Sequence, residues 1–165
     1  MQRLLKWFSV LPVIALAGFF LLAPGMIERS MNKVVPVAAT ASDEALALHR
    51  TLAIADMHSD TLMWQRDLLD RASRGHVDLP RLENGHVALQ VFSSVSKTPK
   101  GLNYDANGAD SDNITLLAIS QLQPPRTWNS ILERSLWHAQ KLQAATNASG
   151  GRLHFIRTSQ DLSKL

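Results

Sequence analysis

The chain has no cysteine among its 165 residues, so disulfides, thiol nucleophiles and cysteine-based zinc sites are all excluded. Any metal must be held by histidine and carboxylate side chains. Aromatic residues make up only 6%, and the 17 lysines and arginines are scattered rather than gathered in runs interleaved with aromatics. A formal charge of +3 therefore gives no footprint for nucleic acid. Internal repeats and low-complexity tracts are also missing. With 45% hydrophobic and 19% charged residues, what remains is ordinary globular composition.

Charge is missing, too, from Trp7 through Ile27, after a basic start at Arg3 and Lys6. As a helix rising 1.5 Å per residue that run would be about 31 Å long, matching a hydrocarbon core of about 30 Å. Pro12 and Pro24 lie towards its ends, and membrane helices tolerate proline. The run exceeds the usual signal-peptide core of about 7 to 15 residues. Small residues in "VAATA" at 37–41 nevertheless leave a cleaved signal as the alternative. Either reading exports the remainder, to the periplasmic or extracellular side of a membrane or into the medium, with the basic end at 1–6 staying in the cytoplasm. Residues 28–43 read as a tether, and the globular pattern fills 44–165.

Within that part, "SDEALALHRTL" carries a serine or aspartate cap and a short apolar stripe, which predicts a lead-in helix. Leu52–Met57 and residues 87–95 are nearly continuous apolar runs, as expected of strands covered on both faces in a parallel sheet. Between them "DLPRLENG" predicts a helix capped by Asp78, with Pro80 in its first turn and Gly85 as terminator. A turn-rich loop over 96–112 follows the second strand, where α/β folds place substrate-facing loops. "DNITLLAISQLQ" is helical up to Pro124. Trp128, Ile131, Leu132, Leu136, Ala139 and Leu142 then form the apolar stripe of an amphipathic helix. "RLHFIRT" predicts a third strand, and Ser159 a cap for a last helix. The order βαβαβα implies a parallel α/β fold.

The first strand ends in "IADMHSDTL", where Asp56, His58 and Asp60 recur at every second position. A strand sends such residues to one face, with Cα atoms about 6.6 Å apart, so His58 and Asp60 are placed to reach one cation, or one each of a close pair. The C-terminal end of a parallel strand is also where α/β folds carry their chemistry. Taken alone, an H-x-D pair occurs in many proteins as a strand end and a turn.

Three motifs in order, D-x-H-x-D at 56–60, G-H-V-D-L-P-R-L at 75–82 and the Gly85–Val95 strand, together resemble the membrane dipeptidase (renal dipeptidase-like) family of zinc peptidases, within the amidohydrolase superfamily. The resemblance runs from about residue 46 to residue 165. It implies a (β/α)8 barrel, of which this chain would be the N-terminal part with about three βα units, and a site of two zinc ions that hydrolyses dipeptides. By that resemblance His58 and Asp60 are metal ligands, and Asp56 supports them from behind. Two close metals generate a hydroxide and polarise a carbonyl, so no serine or cysteine nucleophile is needed.

Each zinc takes about three protein ligands, and the family's bridging glutamate and further histidines find no counterpart in the sequence. His76 sits in a turn, His86 at the start of the second strand, His49 before the first, and His154 early in the third. His138 lies on a helix as a surface or packing residue, and Glu83 and Glu133 lie on helices as well. About 120 residues follow the tether where a barrel takes roughly 250. The expectation is an N-terminal portion of a longer enzyme, inactive alone. The alternatives are a non-catalytic membrane-tethered binding module, or an amidohydrolase acting on other amides or lactones.

Overall fold

The computed structural model describes residues 2–37 and 40–164; the small-residue stretch at 37–41 therefore falls partly outside the described residues. Helix α1, Gln2–Met31, contains both Pro12 and Pro24. Its Val10–Met31 portion, in which an 18-residue window has mean hydropathy 2.3, is long and apolar enough to cross a membrane, a property that anchors and signal sequences share. Helix α2, Asp43–His49, is capped by Ser42, whose hydroxyl accepts from the Ala45 amide at 3.2 Å.

Strand β1, Ile54–Ser59, helix α3, Leu79–Asn84, and strand β2, Val87–Phe92, form one β–α–β unit whose strands pair in parallel. α3 starts as its sequence dictates: the buried Asp78 carboxylate accepts from the Arg81 amide at 3.0 Å, and Pro80 needs no hydrogen-bond partner in the first turn. The left-handed residue that turns the chain into β2 is His86, with φ 53°, and not Gly85, with φ −86°.

Three expectations about this sheet are corrected. β1 begins and ends two residues later than its apolar run, because the register from Ile54–Val87 to Ser59–Phe92 sets its limits. It is not covered on both faces either: Ala55, Met57 and Val91 are exposed, since the described residues offer only two strands and no layer over that face. The third strand is absent among the described residues. Residues 153–157 are irregular and stand across a cavity of about 450 Å³ from β2, where no ladder forms.

Helices α4, Ile114–Ser120, and α5, Ile131–Ala148, complete the structure. Met63, Trp64 and Ile114 form the core cluster, with Val95 and Leu117 against it. Two buried glutamines tie this core together. Gln121 Oε1 accepts from the Gln65 amide at 3.1 Å, and Gln123 Nε2 donates to the Met63 carbonyl at 3.1 Å.

The amphipathic reading of α5 holds for the helix but inverts its faces. Ile131, Leu132 and Leu136 are exposed, whereas Arg134 and His138 are the buried residues. The reason is hydrogen bonding. Arg134 Nε donates to the Thr127 carbonyl at 2.7 Å, Nη1 to Ser96 O and to Asp112 Oδ2 (2.6 Å), and Nη2 to Thr115 Oγ1 (2.8 Å) and Trp128 O. A fully partnered guanidinium can be buried where an unpartnered one cannot. The remaining carboxylate on this hub, Asp112, is pushed up by burial. The Arg134 guanidinium, the Ile114 amide and the Thr115 hydroxyl outweigh that and hold its pKa below the ordinary value.

Candidate functional site

The three polar residues of the first strand do not form a simple row. Three residue steps from Asp56 to Ser59 on β1 oppose two steps from Gln90 to Phe92 on β2, so β1 carries one extra residue at Met57–His58. Such an irregularity redirects a side chain and commonly sits beside functional sites. Asp60 has already left the strand, with φ −91° and ψ 16°, and opens a 3₁₀ turn over Thr61–Met63.

His58 and Asp60 nonetheless converge. His58 Nε2 and Asp60 Oδ1 are 3.2 Å apart, with their side chains 70% and 41% exposed. Asp56 takes a different part: its Oδ1 accepts from the His58 amide at 3.1 Å, closing a small turn that fixes the backbone from which His58 projects.

A residue that sequence reasoning missed joins them. Ser93, directly after β2, has its Oγ 3.3 Å from His58 Nε2 and 3.1 Å from the Ser59 carbonyl, and it donates to Asp60 Oδ1. Its amide donates to the Ser59 carbonyl at 2.9 Å. The available signal was positional: in a parallel pair, the residue after β2 lies level with the residues after β1.

Ser93, His58 and Asp60 do not form a nucleophilic triad. That chemistry needs serine and aspartate on opposite ring nitrogens, so that the ring relays a proton between them. Here both contacts fall on Nε2. The spacing suits a shared cation instead: ligand atoms about 2.1 Å from a tetrahedral zinc lie about 3.4 Å from each other, close to the observed 3.2 Å. A metal can bind Nε2 only when that nitrogen carries no proton.

Among the described residues, no group of three or more histidine, aspartate or glutamate side chains converges to hold a metal. His49 and His86 meet edge to face at 5.6 Å, beside the N-terminal ends of β1 and β2. His76 and His154 are exposed. Glu83 pairs with Arg152, whose hydrogen bond holds its carboxyl below the usual range, and Glu133 pairs with Arg126 at 3.0 Å.

His138, expected at the surface or in packing, is packed inside. It is 2% exposed, with Nδ1 2.8 Å from Ser94 Oγ and Nε2 buried without a hydrogen-bond partner. Burial first, then the Lys141 charge and that of Arg134, lower its pKa to about 4, while the Asp60 carboxylate acts in the opposite direction. His138 is therefore a neutral ring near neutral pH, close enough to Asp60 to feel its charge. No protein-family model, curated protein or solved structure matches the chain.

Proposed function

We propose that this chain carries one side of a zinc site for dipeptide hydrolysis, on a (β/α)8 barrel held at a membrane by α1. The observation that carries the reading is the 3.2 Å approach of His58 Nε2 to Asp60 Oδ1 at the C-terminal end of β1, a spacing that two ligands of one metal would have. His58 and Asp60 would hold the metal. Zinc held there would supply a hydroxide near neutral pH and would polarise the scissile carbonyl.

The protein's own groups prepare the pair. Asp56 holds the His58 backbone in its turn. Ser93 donates to Asp60 and so fixes that carboxylate in direction. Two donors fall short of the roughly three protein ligands a zinc takes, so the donors that complete the site come from residues outside this pair.

Cobalt(II) titration of the detergent-solubilised chain, read by visible absorption and by proton release at constant pH, tests the reading. Binding with proton release into the medium is expected, lost in His58→Ala and Asp60→Asn. Ser93→Ala should weaken it about 10–100-fold, as for other groups that orient ligands. Binding that neither ligand substitution changes would refute the site. Zinc-dependent dipeptide turnover by these 165 residues alone would refute the donor count.

A further inference from the structure

The last turns of α1 are not a free stalk. Ala23, Pro24 and Glu28 are buried, whereas Leu11, Val13, Ile14, Leu16, Leu21 and Leu22 are exposed. Residues 24, 28 and 32 share one helix face, and each is bound to the globular part. Gln121 Nε2 donates to the Pro24 carbonyl at 3.1 Å. The Gly75 amide donates to the Asn32 carbonyl at 3.1 Å.

Between these contacts the Glu28 carboxylate, 0% exposed, meets two arginines. Arg74 Nε donates to Oε2 at 2.8 Å. Arg66 Nε lies 2.8 Å from Oε1 as a charge contact without hydrogen-bond alignment. Glu28 and Asn32, placed in the tether by sequence, thus belong to a docked helix end.

This contact fixes where a bilayer must lie. The apolar stretch from Trp7 to Leu22, largely exposed over its described part from Val10 onward, spans only about 24 Å as a helix, short of a hydrocarbon core of about 30 Å. The hydrocarbon boundary then reaches Met26, one residue row from Glu28. A lone carboxylate at that depth is costly, and Arg66 and Arg74 compensate it. Cleavage after 37–41 would remove Glu28 and leave both arginines facing a buried gap.

We infer that α1 is retained and that its Glu28 locks the globular part flat against the bilayer surface, the flank around Ser73–Gly75 lying at the headgroups. The partner of this surface is a lipid bilayer. The inference rests on α1 residing in a membrane and is independent of the zinc reading. Carbonate extraction of the uncut chain reports membrane residence by itself.

The test uses full-length chain in vesicles, with a protease site placed at 37–41. After the cut, the wild-type globular part should stay with the vesicles. Glu28→Lys should release it, and Glu28→Lys with Arg74→Glu should regain retention. Release of the wild type as readily as of Glu28→Lys overturns the inference. Misfolded Glu28→Lys would sediment rather than be released, so a second measurement stands beside the first. As the chain has no native cysteine, a fluorophore on Ser73→Cys reports alone. Headgroup-nitroxide lipids should quench it in the otherwise wild-type protein, and unquenched emission overturns the inference. Intact mass of membrane-extracted protein should include α1; a chain starting near residue 42 overturns it as well.

Discussion

Acidification should destabilise the protein through one ring, His138. Its pKa falls from 6.5 in an unfolded chain to about 4 in the fold, so the native state resists the proton that the unfolded state accepts. The stability contributed is therefore fully present above about pH 6.5 and is lost as pH falls towards 4. At 1.36 kcal/mol per pH unit, this window caps the loss at about 3 kcal/mol, and about 2 kcal/mol of it is spent by pH 5.

The structure explains why the ring holds out. Ser94 Oγ also donates to Ser135 Oγ at 3.1 Å, so its lone pair is left for a proton on His138 Nδ1. Nε2 is then a bare acceptor in a buried space, and a second proton there would meet Lys141 and Arg134 with no acceptor at hand. Urea unfolding of the detergent-solubilised chain, followed by tryptophan emission at pH 7.5 and 5.0, measures the loss. His138→Gln keeps a partner for Ser94 and should show little of it. Trp137, 5.4 Å from the His138 ring, should also show a quenching step centred near pH 4. A step near 6.5, or equal acid losses in wild type and His138→Gln, would refute the reasoning.

Arg134→Met should cost about 3–5 kcal/mol, the usual penalty for removing one partner of a buried pair. Arg134→Lys should recover little, because one ammonium cannot replace five fixed N–H groups; urea midpoints and proteolysis within 97–112 check both. Lys141 is lowered from 10.5 to about 8, by burial first and then by Arg66, although its Nζ donates to the Leu62 and Trp64 carbonyls. Between those values the unfolded chain keeps a proton that the fold has released, so stability should rise from about pH 8 to 10.5. Lys141→Met should abolish that rise in denaturation midpoints compared at pH 7.5 and 9.5.

The local elements were the legible part of the sequence. Asp78, Pro80 and Ser42 are start signals whose physics is contained within a few residues, and α2 and α3 begin where those signals put them. β1 was found but displaced, because a strand's limits belong to its partner's register rather than to its own apolar run. "RLHFIRT" carries strand propensity without a neighbour to pair with, and propensity alone makes no ladder. In α5 the apolar pattern indicated the wrong face. Hydropathy gives arginine and histidine to solvent, while Arg134 is drawn inward by carbonyls from two separate segments, at Ser96 and at Thr127–Trp128, and by the side chains of Asp112 and Thr115. At the candidate site His58 and Asp60 were legible from their spacing, whereas Ser93, 33 positions after Asp60, meets them only through the β1–β2 pairing.

The hub at Arg134 also bears on the loop it holds. One nitrogen, Nη1, grips both Ser96 and Asp112, and the Asn113 amide donates to the Thr98 carbonyl at 2.9 Å. The loop is thus cinched at its base like a drawn purse, and residues 100–110 beyond the knot are all exposed. With closure enforced at the neck, doubling the length of what lies beyond costs only about 0.6 kcal/mol. The fold leaves this lobe free to diversify in length and chemistry, a place where new specificities can be tried without renegotiating the core.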